Sequence, residues 1–481
     1  MLSQNFKYVG LMKYFEEISA IPRASYKEEK IADYLCEFAK NHGYEYFRDA
    51  ANNVLINAPA TAGMEDVPAI MLQGHTDMVC EKNEGVEHDF DTQGLDLYEE
   101  DGWIKARGTT LGADNGVAVA VMLYVLDGGV DRHGAIQCLF TASEEVGLDG
   151  AKSFDYSRIF ARRMINMDSA DESLIIVGCA GGQRSNVSLD IDSESINAPV
   201  LAKISLKGLM GGHSGEDIDK GRANANKLMA RALCDILADD NIGARIVSVN
   251  GGSKDNAIPR ECEAVLSVND MTALSERVIK LESKLSEGLS QNDKNMTFKA
   301  VAIGENVSVD CPEAISANSF MRFVCGVPNG IFDMNHNMTE LVEWSRNLGV
   351  LTVNSKVCEA VFSSRSSFES RIDASALELD SLASLIGAKT RHYSRYPGWN
   401  FATDSALRDS YIAAAQSVTG KTPDLLAIHA GLECGFIKQA VADMDIISCG
   451  PIILDLHSPD ERMDKASFER FYSIMKAVIE Q

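Results

Sequence analysis

The chain has 481 residues, 45% hydrophobic and 24% charged, with a formal net charge of −25. That length asks for two domains or more, each able to bury a sizeable core, and the acidic balance argues against nucleic acid or an anionic membrane as partner. The 11 cysteines include no C-x-x-C pair and sit partly in apolar runs, which fits buried thiols in a reducing cytosol better than disulfides or a structural zinc site.

In chain order, Tyr8 to Ile21 carries Leu11, Tyr14, Phe15 and Ile18 at helical spacing and stops at Pro22. The charged stretch Met1 to Pro22 has no uninterrupted apolar core, so no signal peptide is expected. A second amphipathic helix, Tyr26 to His42, follows. Strand-like runs come next at Val54 to Ala58, Ala69 to Leu72 and Trp103 to Ala106. The second of these leads into His75-Thr76-Asp77, whose spacing puts both side chains on one face of a strand. A carboxylate beside an imidazole is how proteins fix a tautomer for metal binding, although a lone His-x-Asp is more often ordinary strand-end polarity.

A glycine-rich loop, Gly108 to Gly116, then feeds an apolar helix, Val117 to Leu126, too short by about half to span a membrane. Asp114 lies at its start, where it reads equally well as an N-cap or a ligand. No G-K-[ST] follows, so a phosphate loop is disfavoured. Ala135 to Thr141 is a strand that ends in Glu144-Glu145, and Arg163 to Asp168 is another with a carboxylate at its end. Adjacent carboxylates beyond a buried strand need pairing or a metal unless they are simply solvated. Strand, polar residue and helix in alternation mark an α/β domain, whose site gathers beyond the carboxyl ends of its strands.

From about Asn186 the texture changes. Ala202 to Lys207, Ile246 to Val249, Glu263 to Val268, Leu351 to Val357 and Ala360 to Arg365 read as strands, and Arg222 to Leu237, Thr272 to Leu289 and Ser375 to Leu385 as helices. They suggest an α+β insert of about 200 residues. The first texture returns after Tyr396-Pro397-Gly398-Trp399, with a helix at Ser405 to Ser417, a strand at Asp445 to Ser448, His457, and a last helix from Lys465. The resulting partition is residues 1–186 and 396–481 as a catalytic domain and 187–395 as an inserted domain.

His75, Asp114, Glu145, Asp168 and His457, with Asp77 and Glu144 beside them, form the candidate constellation. Two histidines and three carboxylates exceed the four ligands usual for one zinc. They suit two ions at about 3.5–4 Å that share a bridging carboxylate and a water, and Asp114 at its loop-to-helix junction is the natural bridge.

These residues, in the contexts His75-Thr76-Asp77, Gly112-Ala113-Asp114-Asn115, Glu144-Glu145-x-Gly147, Asp168 and His457-Ser458-Pro459, resemble the co-catalytic di-zinc exopeptidases, the family of glutamate carboxypeptidase. Chain length, the large insert and the segments 108–116 and 429–435 resemble its dipeptidase branch. The resemblance implies an α/β fold: a catalytic domain with a mixed sheet sandwiched by helices, and an inserted α+β lid or dimerisation domain. It implies two divalent ions, Zn²⁺ first and Co²⁺ or Mn²⁺ as alternatives, with His75 and Asp168 on one, Glu145 and His457 on the other, and Asp114 bridging. A cis peptide at Asp114–Asn115 is expected with it.

By the same resemblance Glu144 is the general base, Asp77 orients His75, and His213 donates to the oxyanion, often from a partner subunit. Asn256 and Arg365 would hold the substrate's terminal carboxylate, for which a guanidinium fork is suited. His429 and Glu433 have no role assigned. The expected activity is hydrolysis of unblocked dipeptides, Xaa-His among them, by a cytoplasmic homodimer joined through the insert. The alternatives are an amidohydrolase of N-acyl amino acids, a tripeptidase, or a non-catalytic metal- or peptide-binding protein.

Overall fold

The computed structural model describes residues 2–481. The chain divides into two compact units, one of residues 2–179, 399–427 and 432–481, the other of residues 180–398 and 428–431.

The first unit opens with α1 (Val9–Ser19) and α2 (Glu29–His42), the latter closed by Gly43 in the left-handed region, φ 75°. Then come β1 (Glu45–Arg48), β2 (Val54–Ala58), β3 (Ile70–His75), β4 (Leu97–Glu100), β5 (Trp103–Ala106), α3 (Ala113–Tyr124), β6 (Ile136–Thr141), α4 (Asp149–Ser153), β7 (Arg163–Asn166) and β8 (Leu174–Cys179). The second unit contains β9 (Gly181–Asp190), β10 (Ser193–Lys207), β11 (Gly212–His213), α5 (Ala225–Leu237), β12 (Arg245–Gly251), β13 (Ala257–Ile258), β14 (Cys262–Val268) and α6 (Met271–Ser286). It continues with β15 (Thr297–Pro312), α7 (Ala314–Gly326), β16 (Gly330–Met334), β17 (Val342–Val353), β18 (Val357–Ser366), α8 (Glu369–Ser384) and β19 (Lys389–Tyr396). The chain then returns to the first unit through α9 (Ala406–Thr419), β20 (Asp424–Ile428), α10 (Cys434–Ala440), β21 (Asp445–Ser448), β22 (Ile453–Leu454), β23 (Arg462–Asp464) and α11 (Lys465–Ile479).

An eight-stranded sheet, ordered β1-β2-β6-β3-β7-β21-β8-β20, is the spine of the first unit. Its centre, β6-β3-β7-β21, is parallel, and β3 and β6 are buried along their whole length, as parallel strands covered on both faces must be. Helix α3 lies against β3 so closely that a Cβ on Gly74 would come 2.3 Å from that of Ala118. The parallel centre points the ends of β3, β6 and β7 the same way, which brings His75, the Glu144-Glu145 turn and Asp168 to one rim.

The second unit is built on a nine-stranded antiparallel sheet whose main path is β15-β10-β14-β12-β17-β18-β9-β19, with β16 beside β17. Two βαββαβ sets make it up. The first is β10-α5-β12-β14-α6-β15; in the second, β9 supplies the strand that precedes α7-β17-β18-α8-β19. They meet at β12 and β17 through three registered pairs, Val249↔Val353, Asn250↔Thr352 and Gly251↔Leu351. Helices α5 to α8 cover one face with Met229, Leu233, Leu274, Leu281, Phe320, Val324 and Leu379.

One expected strand is corrected. Residues 351–357 are not continuous: β17 ends at Val353, and Asn354 Oδ1 accepts the N–H groups of Lys356 and Val357 at 2.9 and 3.1 Å. This side-chain turn reverses the chain into β18.

Candidate functional site

His75 ends β3 and is 1% exposed. Its Nδ1 lies 3.1 Å from the backbone carbonyl of Asp77 and its Nε2 3.0 Å from Asp114 Oδ1 and 3.6 Å from Asp168 Oδ1. The second oxygen of Asp114 lies 3.3 Å from His457 Nε2, which is 3.2 Å from Glu145 Oε2. The five expected ligands therefore come together, and the two carboxylate oxygens of Asp114 are divided between the two imidazoles. Asp114 is no helix cap: Asn115 Oδ1 accepts the Ala118 N–H instead, and the Asp114–Asn115 peptide is cis.

Asp77 is fully buried. Its carboxylate lies 3.4 Å from His75 Nδ1 but spends its hydrogen bonds on the backbone N–H of Glu144 (3.0 Å), the backbone N–H of Glu145 (3.2 Å) and Ser25 Oγ (2.7 Å). It thus holds the two-carboxylate turn as well as facing the histidine. The Glu144 carboxylate is left within 4.8 Å of ligand atoms on His75 and Glu145.

Burial disfavours charge throughout this cluster, and the groups answer it by pairing. Burial works against the His75 cation, yet Asp114, Asp168 and Asp77 together raise it well above the usual imidazole range. Contacts with Asp114 and Glu145 push His457 up to about 10. Burial, and then the Asp114 charge, lift Asp168 to about 6. Glu144 is driven well above the carboxylate range by burial and by the charges of Asp168, Glu433 and Glu145, the environment that suits an acid–base catalyst.

This donor set fits a pair of divalent ions. Three overlapping groups, His75–Asp114–Asp168, His75–Glu144–Glu145 and Asp114–Glu145–His457, each have ligand atoms within 4.8 Å of one another. Glu145 Oε1 is buried with no hydrogen-bond partner, which a carboxylate oxygen tolerates if a cation takes it.

Several residues that hold the site carried no readable signal in the sequence. Glu461, four residues after His457 and 3% exposed, accepts the backbone N–H groups of Leu111, Gly112, Ala113 and Asp114 at 2.8, 2.9, 2.9 and 3.3 Å. Arg23, 2% exposed, donates to the carbonyls of Thr76, Asp77 and Gly112 at 3.0, 3.2 and 2.5 Å. Gly112 is required there, because its φ is +64° and a Cβ would sit 2.5 Å from the Arg23 guanidinium. Glu28 accepts the Ser143 N–H and hydroxyl at 2.8 and 2.7 Å, bracing the turn from the other side.

The other expected residues lie in the second unit. His213 and Asn256 stand on paired segments: β11 and β13 align Gly212 with Ile258 and His213 with Ala257, and Asn256 O accepts the Ser214 N–H at 2.8 Å. The Glu216 N–H donates to His213 Nδ1 at 3.3 Å, which leaves the ring proton on Nε2. Burial and the Arg365 charge hold this imidazole below its usual range, hence neutral. Arg365, 6% exposed, donates from Nη1 to Tyr396 Oη at 2.8 Å, and its buried Nε has no partner. His429 is a structural pin: Nε2 pairs with Ser345 Oγ at 2.7 Å, the ring also meets the Val342 backbone, and burial beside Arg365 lowers it to about 3. Glu433, back in the first unit, is wholly buried and accepts from Gln73 and Thr141.

An α/β sheet with this two-histidine, three-carboxylate rim and a βαββαβ insert defines a class of metallopeptidase, and the chain belongs to one: the profile of peptidase family M20/M25/M40 matches residues 71–481. Among characterised relatives, it is similar to the cytosol non-specific dipeptidase of Escherichia coli (strain K12), at 37% identity over 474 residues, 98% of this chain and 97% of that one. Among solved structures, it is similar to the aminoacylhistidine dipeptidase of Vibrio alginolyticus, with a TM-score of 0.92 and 34% identity over 99% of this chain and 97% of that chain. The aminopeptidase PepT of Bacillus cereus shares the fold at a TM-score of 0.56 and 18% identity, over 98% of this chain and 97% of that chain.

Proposed function

We propose that the protein is a metal-dependent dipeptidase acting on unblocked dipeptides, Xaa-His among them. The observation that carries this reading is the division of the Asp114 carboxylate between His75 and His457, with Glu144 beside them. His75 and Asp168 are assigned to one ion, Glu145 and His457 to the other, and Asp114 to both; Zn²⁺ is the first candidate, and Co²⁺ or Mn²⁺ suit the same donors. The ions, when bound, supply Lewis acidity towards the peptide carbonyl and an acidified water.

Glu144 is the proton carrier. Its carboxylate takes the proton of the attacking water and delivers it to the nitrogen of the departing amine, breaking the C–N bond. Asp77 keeps Glu144 on station through the Glu144 N–H. In the insert, His213 is assigned the role of neutral donor to the oxyanion through Nε2–H, in cis or from a partner copy. Arg365, with its unfilled donors, and Asn256 are assigned the substrate's terminal carboxylate.

Among the described residues no helix is long and apolar enough to cross a membrane, and a cytoplasmic location goes with this reading. For assembly, the open edge β15, with Val301 53% and Ile303 50% exposed, is where a second copy can extend the sheet into a homodimer; sedimentation velocity reads that directly.

The test is a panel of free dipeptides, tripeptides and N-acetylated amino acids, with and without chelator. Hydrolysis confined to free dipeptides and abolished by chelator is expected; activity on N-acetylated amino acids or tripeptides alone would select the alternative chemistry. Glu144→Ala should retain both ions by metal analysis while turnover falls by about 10²–10⁴. Wild-type turnover in that variant would remove Glu144 from its role.

A further inference from the structure

Glu433 lies under the ligand rim, and the polar groups around it form one directed chain. Gln73 stands two residues before His75 on β3, Asn166 two residues before Asp168 at the end of β7, and Thr141, registered against His75, ends β6. All three are fully buried. The Asp168 N–H donates to Asn166 Oδ1 at 3.3 Å, Asn166 Nδ2 to Gln73 Oε1 at 2.6 Å, and Gln73 Nε2 to Glu433 Oε2 at 2.6 Å. Thr141 Oγ1 donates to the same oxygen at 2.7 Å. Glu433 is the terminal acceptor of the chain, and it fixes which way the Gln73 and Asn166 amides point.

That duty needs only one oxygen and no charge; a glutamine would serve. Yet the second oxygen, Oε1, is buried and unpartnered. Burial pushes this carboxyl up to about 7 against the pull of His75 and of the Thr141 and Gln73 hydrogen bonds, so that it ionises where a nearby cation answers it. Once ionised it acts electrostatically on His75, Asp168 and Glu144. Buried anions are disfavoured unless a cation answers them. Both middle links of the chain are tied to one half of the centre: Gln73 shares a strand with His75, and Asn166 receives the N–H of Asp168.

We infer that Glu433 is a positioning residue for the metal centre: a buried anion that strengthens cation binding at the His75–Asp168 half and holds the strands bearing those ligands in register, with little effect on the Glu145–His457 half. The inference rests on the two-ion reading above.

Metal-free wild type, Glu433→Gln, Glu433→Ala and His75→Ala are titrated with Zn²⁺ by calorimetry, and folding is followed by circular dichroism. Wild type should take up two ions; fewer would defeat the two-ion reading itself. Glu433→Gln keeps the terminal acceptor and removes the charge. It should fold as wild type, lose tenfold or more in affinity at the same binding step that His75→Ala abolishes, and change less than threefold at the other. At saturating Zn²⁺ its kcat and KM should return to within threefold of wild type. Glu433→Ala should weaken the same step further; if it fails to fold, Glu433→Gln carries the test alone. Wild-type affinities in Glu433→Gln, equal weakening of both steps, or a kcat that stays low at saturating metal would each overturn the inference.

Discussion

At the scale of single residues, the site depends on buried charges that act through backbone groups. Glu461 gathers four N–H groups of the loop bearing Asp114, and Arg23 gathers three carbonyls from the same loop and from the segment after His75. Each satisfies atoms that would otherwise be orphaned, at a cost of about 1–3 kcal/mol per buried polar group. Glu461→Ala is therefore expected to lower stability by about 3 kcal/mol or more in urea unfolding and to weaken metal binding, because Asp114, the proposed bridge, loses its fixed loop. Glu461→Gln, which keeps one acceptor oxygen, should lose less. A loss below about 0.5 kcal/mol in the alanine variant, typical of an inert surface change, would refute the clamp. Asp77 makes a finer case. Asp77→Asn retains an acceptor for one of the two N–H groups of the Glu144-Glu145 turn and loses the charge facing His75. Activity or metal affinity should fall about 10–100-fold, the usual effect of disturbing a ligand's partner, while the N–H left without an acceptor lowers stability by about 1–3 kcal/mol and the fold is retained.

At the scale of elements, what could be read from the sequence follows from how local each signal is. The runs ending at His75, Glu144 and Asp168 were legible because buried strands are apolar and their polar ends stand out. Helix α11 was legible at its first residue, where Asp464 caps Ser467. Strand β15 was not: it is an edge strand exposed along most of its length, and its apolar alternation is confined to Val307, Val309 and Cys311, with small residues and Gly304 interrupting the rest. Arg23 and Glu461 were silent because their partners lie at least 53 positions away in the chain and are backbone atoms, which have no residue type to recognise; Glu28 was silent because the Ser143 turn it braces lies 115 positions away. The role of His429 has no local signal; the fold shows its Nε2 paired with Ser345 Oγ and its ring against the Val342 backbone. Its pKa near 3 lies below the ~6.5 of an unfolded histidine. Between those values the unfolded chain binds a proton that the folded chain refuses. The stability His429 contributes is thus complete above pH 6.5 and is lost as pH falls towards 3, by up to about 1.4 kcal/mol per unit. Thermal unfolding from pH 7 to 4 should show this slope in wild type and lose it in His429→Gln; an unchanged slope in the variant would assign the acid sensitivity elsewhere.

At the scale of the whole molecule, the proposed ligands and the insert belong to different compact units. His75, Asp114, Glu145, Asp168 and His457 are all in the first unit, while the second has its own core of Met229, Leu233, Phe320 and their neighbours. A ligand that binds only the folded form stabilises what it binds by RT ln(1 + [L]/Kd), about 2.7 kcal/mol at a hundredfold excess over Kd. On the proposed assignment, metal therefore acts directly on the first unit alone. The second is stabilised by its sheet and by helices α5 to α8, none of which carries a ligand. Calorimetry of the full chain should resolve two transitions. Adding Zn²⁺ to chelator-treated protein should raise one of them by several degrees and leave the other in place. The immobile transition should be the one that responds to His429→Gln at low pH, and the mobile one should lose its metal response in His75→Ala. A single transition that moves as a whole with metal would mean that the two units unfold as one cooperative block, so that stabilisation gained at the Asp114 bridge is shared by every strand of the insert.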